Sequence, residues 1–125
     1  MSTWHSYTGR PFDFSGTALE QSWPALHAGN LEPWPQDSVV RDAWRAYHEG
    51  RFEDAVNIGE AHGGPGLVPA AFAATIYTQY LEPDEDRKSA MFERAMQIAE
   101  RATAACQDNA NAFYMFAVAQ GRYSQ

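Results

Sequence analysis

Apolar residues recur at helical spacing through most of the chain. In TALEQSWPALHAG, residues 17–29, Leu19, Trp23 and Leu26 fall at i, i+4 and i+7 on one helical face, with Gly29 as the stop. Pro24 lies inside this stretch and predicts a kink or a split near Trp23. NLEPWPQD, with Pro33 and Pro35 on either side of Trp34, reads as an extended connector. A second helix is predicted from about Ser38 to Glu49, capped by Asp37 or Ser38, with Val39, Val40, Ala43, Trp44 and Tyr47 as its apolar stripe. Gly50 ends it, because a left-handed residue is cheap only for glycine. Its partner over 53–62 starts with Glu53 and Asp54, which favour the positive helix end. Phe52, Ala55, Val56 and Gly59 form that partner's face, and the small Ala55 and Gly59 let two helices approach closely as a hairpin.

Beyond GGPG at 63–66, Pro69 suits the first turn of a helix over about 68–81, whose face carries Phe72, Ala73, Ile76, Tyr77 and Tyr80. Pro83 with Asp84, Glu85 and Asp86 marks the start of a long helix over about 84–105. Its stripe is Met91, Ala95, Ile98 and Ala102, thickened by Phe92 and Ala99. A last helix begins near Asp108 or Asn109 and carries Phe113, Phe116, Ala117 and Gln120. No stretch alternates with period two for long enough to be a strand. The predicted fold class is all-α.

The length, 125 residues, suits one domain, divided here into an arm over 1–37 and helical hairpins over 38–125. Residues 1–16 are broken by Gly9, Pro11 and Gly16, but Trp4, Tyr7, Phe12 and Phe14 give them apolar mass, so this arm is expected to lie on the body of the protein. The net charge of −7 and the lack of any basic run remove the electrostatic footprint for nucleic acid or an anionic membrane. No apolar stretch is long enough to span a bilayer, and the first residues lack the pattern of a signal peptide. Cys106 is alone, which rules out an intramolecular disulfide and fits a reducing compartment. The cytoplasm is the expected location.

One turn is written more than once. WPALHAGNLEP at 23–33 and WRAYHEGRFED at 44–54 match at Trp, His, Gly and Glu with an offset of 21 residues. MFAVAQGRYS at 115–124 repeats the Gly-Arg-aromatic portion. Repeated helix–Gly–helix units mean stacked hairpins, none able to bury its apolar face alone. Val39 to His62, with Ala43, Gly50, Phe52 and Ala55 in place, resembles a tetratricopeptide repeat. From Ala99 onward, and above all in DNANAFY, the chain looks like the end of one such repeat and the start of the next. The resemblance covers roughly residues 38–125 and implies about two and a half stacked units. It also implies a groove lined by the first helix of each pair, where Trp44, Tyr47, Tyr77, Tyr80, Phe113 and Tyr114 lie, although helical aromatic stripes more often pack inward as core; Tyr47, His48 and Thr78 are the candidate groove-facing, ligand-binding residues. If QGRYSQ is a further turn, the last helix exposes Phe113, Phe116 or Tyr123 until another copy, a partner or further chain covers it.

The candidates for chemistry are thin. HGGPG at 62–66 is similar to the oxyanion-hole motif of proline iminopeptidases, but no G-x-S-x-G elbow accompanies it and no sheet is predicted to carry one. GGPG has no G-K-[ST] continuation, and Pro65 removes an N–H that a phosphate cradle needs. His5, His27, His48 and His62 show no metal-ligand spacing; His27 and His48, at equivalent turns, are expected to serve the ends of their own helices. Asp84, Glu85 and Asp86 read as a cap and first turn. Cys106 has no identifiable base and reads as an inert thiol. No catalytic residue, metal or cofactor is assigned. The expected function is non-catalytic protein–protein interaction with a peptide, a helix or another copy of the chain. The alternatives are a small helical enzyme or enzyme subunit, and a small-ligand sensor whose pocket under the arm is walled by Trp4, Trp23 and Trp34.

Overall fold

The computed structural model describes residues 4–9 and 12–124, and the structural statements below concern those residues. Pro11 and Gln125, both part of the expectations above, lie outside them. The chain folds into α1 (Ala18–Leu26), α2 (Ser38–His48), α3 (Phe52–His62), α4 (Leu67–Tyr80), α5 (Glu85–Ala105) and α6 (Ala110–Tyr123). A 3-10 turn over Gly64–Gly66 joins α3 to α4, and no strand occurs among the described residues. The protein is all-helical.

Helix starts follow local chemistry. The Asp37 carboxylate accepts the Val39 and Val40 N–H groups, Asp84 accepts those of Asp86 and Arg87, and the Asn109 side chain accepts that of Asn111. Gly50 is left-handed, with φ of +81°, which lets the Arg51 N–H reach back to the Ala46 carbonyl at 2.8 Å. The Tyr7 ring lies on this turn, and a β-carbon at Gly50 would come within 2.8 Å of Tyr7 Cδ2.

Three local expectations are corrected. α1 passes through Pro24 and ends two residues later, because in so short a helix the ring removes one bond, to the carbonyl of exposed Glu20. Gly29 is not the left-handed residue after α1; Leu31 is, at φ of +56°, and its N–H reaches the His27 carbonyl at 2.8 Å. The second Gly-Arg-aromatic string is not a turn. α6 runs through Gly121 to Tyr123, and the Ser124 N–H still bonds the Gln120 carbonyl. A helical glycine costs only about 1 kcal/mol relative to alanine, which its neighbours outweigh here.

Helices α2 to α6 pack in chain order, each on the next, and α4 also touches α2 and α6. α2 and α3 are antiparallel: His62 at the end of α3 pairs with Asp37 before α2 at 3.3 Å, while Tyr47 and Phe52 meet at the other end with ring centroids 5.8 Å apart. Glu60 on α3 takes Arg94 and Arg101 from α5 at 2.6 and 3.1 Å. α3 and α4 approach closely at Gly59, where an added β-carbon would collide with the Gly66 carbonyl and come within 2.9 Å of the Ala70 β-carbon. GGPG is therefore a tight inter-helix joint.

α4 sits in the middle. Its residues from Leu67 to Thr75 are all buried, as are Tyr77 and Thr78. This corrects the one-faced reading of that helix: Tyr80 is exposed, and the helix is enclosed on every side for its first two turns because α2, α3, α5 and α6 all contact it. No helix among the described residues is long and apolar enough to cross a membrane.

Two substitutions check this packing. Ala55→Arg places a charge at a fully buried position on α3 and is expected to cost about 3 kcal/mol or more, seen as a large drop in thermal midpoint. Gly50→Val forces a branched residue into the left-handed region and displaces Tyr7, for a loss of about 1–2 kcal/mol in urea titration.

Candidate interaction surface

The three residues singled out as groove-facing have different fates. Thr78 is fully buried and gives its hydroxyl to the Ala74 carbonyl at 2.7 Å, so it has no surface to offer a ligand. Tyr47 is half-buried against Trp44, Phe52 and Phe72, and burial pushes its phenol up to about 12. His48 faces another part of the same chain. Its Nε2 lies 2.8 Å from Nε2 of His27, which follows α1.

The tautomers of this pair follow from its partners. Asn30 Oδ1 accepts the Glu32 N–H at 3.1 Å, which fixes that atom as the acceptor. His27 Nδ1 lies 3.0 Å from the same oxygen and must therefore donate to it. A neutral His27 then has an unprotonated Nε2, and His48 Nε2–H donates into it. Around the pair, Trp23 stacks on the His27 ring at 3.8 Å and meets Trp44 edge-on at 5.7 Å, while Trp44 stacks on His48 at 5.8 Å. The internal repeat thus folds onto itself: Trp23 meets Trp44, and His27 meets His48. This corrects the expectation that each histidine serves only its own helix end. Burial, reinforced by the neighbouring His27, lowers His48 to about 4; burial also lowers His27, with Asn30 and Glu32 opposing.

Five residues after His27 comes an anchor that pattern reading missed. Glu32 is 9% exposed, and its carboxylate accepts from Asn109 Nδ2 at 3.1 Å and Asn111 Nδ2 at 2.7 Å. Its carbonyl accepts the Trp23 indole N–H at 2.7 Å, and Asn111 Nδ2 also reaches the Asn30 carbonyl at 3.1 Å. The carboxylate sits at the positive end of α6, held by amides. Only the start of a helix near Asn109 was readable beforehand. Nothing local pairs a glutamate with an asparagine 79 positions further on.

The other candidates resolve into structural roles or simple surface. His62 of HGGPG pairs with Asp37, and Asp84 is a helix cap. Cys106 is half-buried, its thiol raised by burial and by Glu32. Among the described residues, no group of three His, Cys, Asp or Glu side chains is placed to hold a metal. A cavity of about 330 Å³ lies under residues 4–9, between Trp4, Tyr7, Glu49, Arg51, Glu53 and Tyr77. Trp4 is one of its walls and stacks on Tyr77 at 4.2 Å, but Trp23 and Trp34 belong to the histidine cluster instead.

One face of α6 is left uncovered. Phe113 is 48% and Tyr114 62% exposed, Ala117 and Gly121 lie on the same exposed side, and no charged residue occurs from Ala110 to Gly121. Phe116 is partly buried against the core.

The histidine pair predicts an acid limit to stability. Both groups are held below the ordinary value near 6.5, so the unfolded chain binds more protons and stability rises with pH across this window. The contribution is complete above about 6.5 and is lost as pH falls towards about 4. Thermal midpoints measured from pH 8 to pH 4 are expected to fall more steeply for the natural chain than for His48→Gln, whose amide still donates to His27. Comparison with protein-family models, with curated proteins and with solved structures finds no match to this chain.

Proposed function

We propose that the chain is a cytoplasmic, tetratricopeptide-like helical-repeat module that binds protein and catalyses no reaction, its ligand a peptide, a helix or a second copy of itself. The order of packing supports this reading, because each of α2 to α6 packs on the next and α4 also contacts α2 and α6, as successive first helices of stacked hairpins would. The meeting of Trp23 with Trp44 and of His27 with His48 supports the idea that the chain is built from related units.

The observation that carries the proposal is the outer face of α6. Phe113 and Tyr114 stand beside Ala117 and Gly121 on a helix whose first charge comes at Arg122. In a protein of net charge −7, an uncharged face is where a second copy approaches with least repulsion. The small residues let a helix backbone come close, and the aromatic pair supplies buried area.

Light scattering over a micromolar concentration range tests this. The mass is expected to rise towards that of a dimer, and the double variant Phe113→Glu, Tyr114→Glu should weaken association at least tenfold, the equivalent of about 1.4 kcal/mol. A mass of one chain at every concentration, or association unmoved by the substitutions, overturns this face as the contact.

A further inference from the structure

The second surface to consider is already occupied, and by the chain itself. α4 touches α2 on one side and α6 on the other, so the three first helices lie in a row. The segment from α1 through the connector, residues 18–35, reaches from one end of that row to the other. At α2 it places Trp23 against Trp44 and bonds His27 to His48. At α6 it delivers the Glu32 carboxylate and the Asn30 carbonyl to Asn109 and Asn111.

The attachment differs in kind from the rest of the fold. Helices α2 to α6 pack pairwise with their backbones close, whereas no other helix packs closely along α1. The segment holds on by side chains: Leu19 and the Trp23 indole, both buried in the apolar core, an imidazole four residues after the indole and a carboxylate five residues after that. These are groups that any peptide of the same pattern can present. The docked form is also strained. Leu31 is left-handed at φ of +56° and 82% exposed, so its side chain gains little from that geometry, and it relaxes when the turn leaves. Hydrogen bonds hold it there: its own N–H to the His27 carbonyl, Asn111 to the Asn30 carbonyl, the Trp23 indole to the Glu32 carbonyl, and Asn109 and Asn111 to the Glu32 carboxylate.

We infer that residues 18–35 are an intramolecular ligand bridging α2 and the start of α6, and that a peptide partner presenting the same indole, imidazole and carboxylate binds by displacing them. This rests on reading the chain as an interaction module, but it concerns a different face from the outer one of α6. A tethered segment competes at an effective concentration of the order of millimolar, so the closed form suppresses binding of a free peptide in proportion to its population.

Two measurements on the full chain test the inference. In the first, a fluorescein-labelled synthetic peptide of residues 17–36 is titrated against the natural chain and against the variant Trp23→Ala, His27→Ala, Glu32→Ala, which leaves the docking side chains Trp44, His48, Asn109 and Asn111 unchanged. The variant is expected to bind at least tenfold more tightly. Equal affinities, or no binding by a variant that keeps its helical circular dichroism, overturn the proposal. In the second, which needs no variant to fold, hydrogen exchange is followed on the natural chain. The hydrogen-bonded amides of His27 and Leu31 are expected to exchange at least tenfold faster than those in the middle of α4. Equal protection would make the segment part of the core and end the proposal. The exchange experiment involves no partner and no self-association. Separate opening of the segment in a chain that proves monomeric would sustain this inference while removing the α6 contact.

Discussion

An uncharged helix that is apolar on every side has no stable place in water, and α4 is such a helix. LVPAAFAATIYTQY contains no Asp, Glu, Lys or Arg, and its residues from Leu67 to Thr75 are buried without a break. Covering it takes four neighbours, which the chain supplies as α2, α3, α5 and α6. Most of the architecture follows from that requirement. α3 and α5 pack on α4 and are tied to each other through Glu60 with Arg94 and Arg101, while α2 and α6 each contact α4 as well. The close approach at Gly59, Gly66 and Ala70 lets α3 come near enough to exclude water from the start of α4. A side chain at Gly59 would open the place where coverage matters most.

The helices were legible because their signals are local. Asp37, Asp84 and Asn109 cap the helices that their positions announce, and Gly50 adopts the left-handed turn that its setting between two apolar stripes implies. Where reading failed, the deciding partner lay far away in sequence or the local penalty was small. Gly121 looks like Gly50 in its neighbours, but the Gly50 turn is shaped by the Arg51 bond back to Ala46 and by the Tyr7 ring on top of it. At Gly121 nothing lies within 4 Å of an added β-carbon, and the helix simply continues. Leu31 in the left-handed region was unreadable, since Asn111, one of the partners that hold the turn, lies 80 positions on. The candidate site was partly visible. His27 and His48 stood out as equivalent positions, but that they bond to each other across two elements required the fold.

Two kinds of attachment therefore coexist. Apolar burial fixes α4 and its neighbours and tolerates exchange of one aliphatic group for another of similar size. The segment over 18–35 adds directional groups to the burial of Leu19 and Trp23: an imidazole N–H donated to a second imidazole, an indole N–H on a carbonyl, and a carboxylate between two amides. Directional contacts of this sort add little net stability, because each replaces a hydrogen bond to water, but they penalise any misplacement severely. They specify where the segment sits more than they determine how firmly.

That division has a functional consequence. A contact surface built only from apolar packing would accept many partners weakly, as the outer face of α6 would. The face at α2 and the start of α6 instead presents an imidazole N–H donor, His48, at one end and two amide donors, Asn109 and Asn111, at the other, and a ligand taking the place of the segment would have to satisfy both. If the internal segment were absent, Asn111 and His48 would have to find water or another ligand, and burying them dry would cost about 1–3 kcal/mol for each unmet group. The segment supplies that compensation from within the chain, at the expense of a leucine held in a left-handed turn. Were an outside peptide to compete with the segment as proposed, the outcome would be decided less by buried area than by which of them meets both polar ends without that strain.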